Sequence, residues 1–328
     1  MKILLGYSWF ESNFCIKTYW EGWLQRLRNS GFEVDGFCLT LNPPGPCHCW
    51  PQLDDMWKAK NITLMKKYEE LLIKLEGYDA FINYNGINLH PEFLPQIKVF
   101  KAFSCSDDPE SSSQLSMPVA RYYDCCLIQN IAAVELYRSW GVKYVYFWPY
   151  GFRDDDFDPF LTKEKILTGE RSTNIVLLCE RRSHWRTDRL NKFLQAFPNT
   201  LGYGHGWPMG YLDRSLKIQT YQNSKIGPNF HNSTGPINFR TYQLPANGVL
   251  QICDNKSNFG KIFENGKEAV GFDSVSECID LCRYYLSHDR ERRIVAAAGW
   301  ERVLRDYNEK ACFQIAIDRI NEIIKGWQ

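Results

Sequence analysis

Gly227 to Asp254, GPNFHNSTGPINFRTYQLPANGVLQICD, gathers residue types that suit a phosphate group. Arg240 and Gln243 stand three apart, so on a helix they share one face. A polar loop, Asn229 to Pro236, precedes them, and Gly248 and the apolar run Val249 to Cys253 follow. The order predicts a loop, a helix over Ile237 to Ala246, a glycine cap in the left-handed conformation, and a buried strand ending at Asp254. A helix start offers free backbone N–H groups and the positive end of a dipole, which attract phosphate. Arg240 would add a planar cationic fork for the same anion. The same pattern also fits an ordinary β-α-β segment carrying a surface arginine.

Other chemistry-bearing residues stand after expected strands. Asp107 and Asp108 follow Lys98 to Phe103, where a carboxylate can act as a base or bind hydroxyls. Asp and Ser before Pro109 also suit a turn or a helix cap. Arg182 follows the apolar run Asn174 to Cys179. The loop Tyr7 to Asn13, with Gly6, Tyr7 and Trp9, follows the first strand. His90 closes the loop Tyr84 to His90 and is a rival base, though a loop histidine is more often solvent-facing. Cys47-His48-Cys49 lacks the usual zinc spacing and a second ligand pair, so no metal site is expected.

These residues need strands and helices to hold them. Lys2 to Leu5 reads as a first strand, Cys15 to Ser30 as an amphipathic helix, and Phe32 to Leu39 as a second strand. Ligands in such sheets sit beyond the carboxyl ends of the strands. No G-x-G-x-x-G follows the first strand, which weakens a dinucleotide reading. Pro43 to Pro51 reads as a loop, Thr63 to Glu76 as a helix, and Asp79 to Asn83 and Lys98 to Phe103 as strands. Tyr123 to Gln129 and Tyr144 to Trp148 flank the helix Ile131 to Trp140 and complete one doubly wound domain. The periodicity breaks at the acidic run Asp154 to Asp158, and charge-rich sequence continues to Thr173. A second domain follows, with Arg186 to Ala196 as a helix, Asn199 to Gly202 as a weak strand, Gly204 to Gly210 as a loop and Leu216 to Asn223 as a helix. Ser224 to Gly227 leads into the Arg240 stretch. The helices Val275 to Ser287, Asp289 to Tyr307 and Ala311 to Ile324 close the chain.

Composition narrows the function classes. The chain has 328 residues, is 44% hydrophobic and carries a net charge of +1. That length suits two domains. A near-neutral chain lacks the electrostatic footprint of a duplex-DNA binder. The 12 cysteines are irregularly spaced, and no signal peptide or transmembrane run is apparent, so they read as reduced thiols of a cytoplasmic protein.

Asn238, Arg240, Gln243, Ala246 and Gly248, with the flanking sequence Ile237 to Asp254, resemble the N-x-R-x-F-E-x-x-A-x-G pattern of the CgeB-like glycosyltransferases, near the glycosyl transferase family 1/4 clan. Phe263 to Ala269, Ala298 to Val303, Ser106 to Pro109 and Trp148 to Phe152 resemble further landmarks of that family, and the likeness spans roughly residues 80 to 310. It implies a GT-B fold: two doubly wound Rossmann-like α/β domains facing a cleft. These would be an acceptor-side domain over 1–155, a donor domain over 156–310, and a last helix, 311–328, packing back on the first.

The implied function is glycosyl transfer, hexosyl or N-acetylhexosaminyl, from a nucleoside-diphosphate sugar, a UDP-sugar foremost, with no metal or other cofactor. Arg240, Arg182 and N–H groups near Asn238 would stabilise the leaving diphosphate, with Asn229 and Tyr242 beside them. Gln243 would address ribose. Tyr203 and Trp207 would line the base pocket, and Asp107 or Asp108 would face the cleft from the acceptor side with Gly6, Tyr7, Trp9 and His90. The acceptor stays open among a glycan, a peptide, a lipid-linked sugar and a modified DNA base. The family has Glu where Gln243 stands, so a binding protein that does not turn over, or a sugar-nucleotide epimerase of the same fold, also remains open.

Overall fold

The computed structural model of the protein describes residues 1–8, 14–41, 49–84 and 88–326, the side chains of 14–19 excepted. The chain divides into two compact units, one of Met1–Pro149 with Phe313–Gln328, the other of Tyr150–Cys312.

Unit 1 is built on a six-stranded sheet of order β2-β1-β3-β4-β5-β6. The strands are β1 (Ile3–Tyr7), β2 (Val34–Cys38), β3 (Ala80–Tyr84), β4 (Phe100–Ser104), β5 (Cys125–Ile128) and β6 (Val145–Phe147). Every pairing is parallel. β1, β3 and β5 are buried along their whole length, as expected of strands covered by helices on both faces. The helices are α1 (Phe14–Asn29), α2 (Trp50–Lys58), α3 (Ile62–Leu75) and α4 (Val134–Ser139). α2 starts inside the stretch that sequence reads as loop. Pro51 lies in its first turn, where a missing N–H costs nothing.

Unit 2 carries a five-stranded sheet of order β11-β10-β9-β7-β8, again all parallel. The strands are β7 (Thr173–Leu178), β8 (Leu201–Tyr203), β9 (Ser224–Asn229), β10 (Leu250–Cys253) and β11 (Val270–Gly271). The helices are α5 (Lys163–Thr168), α6 (His184–Ala196), α7 (Lys217–Gln222), α8 (Arg240–Ala246), α9 (Lys256–Phe259), α10 (Val275–Ser287), α11 (Asp289–Asp306) and α12 (Glu309–Lys325), the last ending in unit 1. β9 lies at the middle of this sheet, although sequence suggests only a lead-in there, because Gly227 and Pro228 interrupt its apolar pattern. α5, capped by Thr162, likewise sits in the stretch read as charge-rich linker. Gly248 ends α8 at φ +66°, as the sequence predicts.

Candidate functional site

In unit 2 the carboxyl ends of β7 and β8 border a cavity of about 470 Å³ lined by Glu180, Arg186, Tyr203, Tyr211, Lys217 and Arg240, among others. Arg240, the first residue of α8, donates through Nε to Asn229 Oδ1 at 3.2 Å. Its two terminal nitrogens donate to the carbonyls of Leu178 at 3.1 Å and Phe230 at 3.4 Å. A guanidinium has five N–H donors. Three go to strand ends, which fix the plane of the group, and two have no partner among the described residues.

Arg186 is the second cation of the cavity, and sequence reasoning did not single it out. It is only 9% exposed, and its Nε has no hydrogen-bond partner among the described residues. One terminal nitrogen donates to the Glu180 carbonyl at 3.2 Å. Burial, then the charge of Arg240, pushes its pKa down to about 10. Neither Arg186 nor Arg240 pairs with a carboxylate of the described residues, whereas Arg214 and Lys217 on the same wall pair with Asp155 and Asp156. A legible signal existed. Ser183 caps α6, accepting from the Arg186 N–H, and a cap there puts Arg186 in the first turn, beside the strand ends.

The other donor-side candidates divide. Asn229 is buried, and its side-chain amide exchanges hydrogen bonds with Asn238 at 3.2 and 3.0 Å. Asn238 Oδ1 also accepts the Thr241 N–H at 3.0 Å, so the chain caps its own seven-residue helix α8. That takes up one of the backbone N–H groups expected to face a phosphate there. Gln243 is 5% exposed, and its side-chain amide has no partner among the described residues. Tyr203 lines the cavity. Tyr242 does not: it is buried beside the rings of Phe263 and Tyr307, and burial raises its hydroxyl pKa. Trp207 is buried with its indole N–H donated to the Cys179 carbonyl at 2.6 Å, under the Arg181 guanidinium, so it fastens the loop rather than offering a free ring face. Arg182 is an exposed side chain paired with Glu180 at 3.0 Å.

In unit 1, Asp108 is corrected from candidate base to interior anchor. It is 0% exposed and accepts from Ser116 Oγ at 2.7 Å and from the Tyr137 hydroxyl. Burial raises its pKa against those donors. Asp107 beside it is exposed; packing around its carboxyl, then the Asp108 charge, raises its pKa as well. His90 is neither a cleft base nor solvent-facing. It is buried between the rings of Trp50 and Trp57, at 5.3 and 4.8 Å, and burial lowers its pKa. Gly6 is required by packing, because a Cβ there would lie 2.7 Å from the Phe81 ring. Tyr7 is buried and stacked on Trp20 at 5.2 Å, and burial pushes its pKa to about 12. Trp9 and Cys47-His48 lie outside the described residues.

Among the described residues one group has metal-ligand composition, His231, Cys253 and Asp254. His231 Nδ1 and Asp254 Oδ1 bond each other at 2.6 Å, and Arg189 pairs with Asp254 Oδ2 at 2.8 Å. Those atoms already have partners, so the group does not fit an ion. No helix among the described residues is long and apolar enough to cross a membrane.

Residues 178–315 match the family model described as glycosyl transferase-like. No curated protein matches the chain in sequence. Solved structures match it over nearly its whole length. Sucrose-phosphate synthase from Thermosynechococcus elongatus has a TM-score of 0.65 at 14% identity, covering 99% of this chain and 100% of that one. The Anabaena protein Alr3699/HepE in complex with UDP has a TM-score of 0.64 at 10% identity, covering 98% and 100%. The same protein with UDP-glucose has a TM-score of 0.62 at 12% identity, covering 99% and 100%. A glycosyltransferase from Rickettsia africae ESF-5 has a TM-score of 0.64 at 12% identity, covering 99% and 98%. The chain therefore has the two Rossmann-like parallel-sheet units of GT-B glycosyltransferase structures, and its second unit carries the glycosyl transferase-like match.

Proposed function

We propose that the protein is a CgeB-like glycosyltransferase that moves a sugar from a UDP-sugar to an acceptor. One observation carries the reading. Two guanidinium groups without carboxylate partners, Arg186 and Arg240, converge on one cavity at the carboxyl ends of the unit 2 strands. Buried positive charge without a counter-charge is costly, and a bound anion relieves it. The glycosyl transferase-like match and the structural likeness to a protein solved with UDP and UDP-glucose support a nucleoside diphosphate as that anion.

In the reaction, the bond from the sugar C1 to the diphosphate oxygen breaks and its electron pair stays on the diphosphate. The acceptor's nucleophilic atom bonds to C1 and gives its proton to a base. Arg186 and Arg240 face the charge that grows on the diphosphate, so the counter-charge comes from guanidinium groups rather than a metal ion. Removing one such prepositioned donor from a transition state typically costs about 10²–10³ in rate. Tyr203, on the cavity wall, is assigned to the base, and Gln243 to ribose. Asp107 is the exposed member of the aspartate pair and the one able to meet an acceptor.

The test is calorimetric titration with UDP, GDP, ADP, CDP and dTDP, followed by Arg240→Ala. One diphosphate should bind, and Arg240→Ala should weaken it by tenfold or more, since a charge-assisted hydrogen bond carries about 1.5–3 kcal/mol. A flat titration series with folded protein sinks the reading. The glutamine at 243 favours a second reading, a protein that binds nucleotide without transfer; binding with no turnover of any donor would select it.

A further inference from the structure

A directed hydrogen-bond chain runs behind Arg240. Asp254 Oδ1 can only accept, so the proton between it and His231 lies on Nδ1, at 2.6 Å. His231 Nε2 is then an acceptor, and the Thr241 hydroxyl lies 3.4 Å away to donate to it. The same hydroxyl oxygen accepts from Asn229 Nδ2 at 3.3 Å. With its nitrogen turned that way, the Asn229 amide presents Oδ1 to Arg240 Nε at 3.2 Å. At the far end Asp254 Oδ2 holds Arg189 at 2.8 Å and the His231 backbone N–H at 2.9 Å. His231, Thr241, Asn229 and Asp254 are all buried. They come from separate elements: the end of β9, the residue after β10, and α8.

We propose that His231, Asp254 and Thr241 are positioning residues that set the orientation of the Arg240 guanidinium through Asn229. Asn229 Nδ2 faces two acceptors, Thr241 Oγ1 and Asn238 Oδ1, and the Thr241 hydroxyl has a second acceptor in reach, Asn238 Oδ1 at 3.4 Å. Reversing the Asn229 amide would set its nitrogen against the Arg240 Nε–H, two donors opposed. The Asn229–Asn238 amide exchange reinforces the same orientation from the side. The Nε edge of Arg240 is thereby turned inward, and the unpartnered N–H groups of its terminal nitrogens are left to the cavity. The proposal rests on the donor-site reading for its consequence, diphosphate affinity, but not for the chain itself.

Thr241→Val keeps the shape of the side chain and removes the hydroxyl, and Thr241→Ser restores it. Two readouts separate the chain from the ligand. In ¹⁵N NMR of the ligand-free protein, the Arg240 Nε–H signal, identified by its loss in Arg240→Lys, should be protected from solvent exchange. Protection should fall in Thr241→Val and persist in Thr241→Ser. His231 should show the Nδ1–H form in the wild type. In calorimetry, UDP affinity should fall about fivefold in Thr241→Val, the worth of one positioning hydrogen bond, with uridine affinity unchanged. Unchanged Nε–H protection in Thr241→Val overturns the proposal whatever UDP does. Lost protection in a protein that binds no diphosphate leaves the chain standing and removes the donor-site reading instead.

Discussion

Replacing Arg186 with methionine should make the ligand-free protein more stable while weakening its hold on a nucleoside diphosphate. The guanidinium is nine-tenths buried beside Arg240, and its pKa falls from the ordinary guanidinium value to about 10. At about 1.4 kcal/mol per pKa unit, holding the group charged there costs roughly 3 kcal/mol. The sign follows from linkage: a cation depressed in the fold destabilises it at every pH below its folded pKa, and the cost fades only above that value. At neutral pH the full cost is present. Methionine forfeits the hydrogen bond to the Glu180 carbonyl, worth about 1 kcal/mol. The balance is a gain of about 2 kcal/mol, a Tm rise of about 4–8 °C for a domain of 150–250 residues. The same variant should bind UDP about ten- to a hundredfold more weakly, the loss of one charge-assisted bond. Scanning calorimetry with and without UDP reads both quantities. A lower Tm without ligand, together with an undiminished UDP-induced shift, would refute the argument that Arg186 is an uncompensated charge awaiting an anion.

Gln243→Glu should lower the ligand-free Tm, since a carboxylate only 5% exposed has no partner among the described residues. UDP should restore it if ribose hydroxyls meet the new charge, and a variant that UDP does not rescue would move ribose elsewhere. Stability should also fall on acidification. His231 and His90 are held below the ordinary value of 6.5 by burial. Below that pH the unfolded chain takes up protons that the fold refuses. Urea midpoints should drop between pH 7 and 5, and less steeply in His90→Phe; midpoints that rise would contradict the burial of both rings.

Much of the fold is legible because parallel strands covered on both faces read as apolar runs. Ile3–Tyr7, Ala80–Tyr84 and Leu250–Cys253 announce themselves in that way. β9 does not. Its place at the middle of the sheet comes from tertiary packing, which overrides a sequence carrying Gly227 and Pro228. The site was half legible. Arg240 stands out through its spacing to Gln243 and Gly248. Asp108, Tyr242, Trp207 and His90 have chemistry-bearing side chains, but the fold uses them inside, and composition cannot tell a buried carboxylate holding two hydroxyls from one facing a substrate. Arg186 was hidden for the opposite reason: an arginine in a polar helix reads as surface until the cap at Ser183 is recognised.

The way the chain passes between its units bears on how the protein is made. Tyr150–Cys312 is one uninterrupted stretch, whereas unit 1 is assembled from Met1–Pro149 and Phe313–Gln328. Trp23 and Phe32 pack edge-on against Phe313, and Arg319 lies over the Tyr146 ring. During synthesis the earlier segment of unit 1 must wait for the whole of Tyr150–Cys312, about half of the polypeptide, before it meets these partners, while unit 2 has its whole sequence to hand first. The order in which the units are completed is thus the reverse of the order in which they are begun. A recombinant piece cut at 150 and 312 keeps every residue around Arg186 and Arg240, whereas a piece cut after 149 leaves α1 without the ring that closes over it.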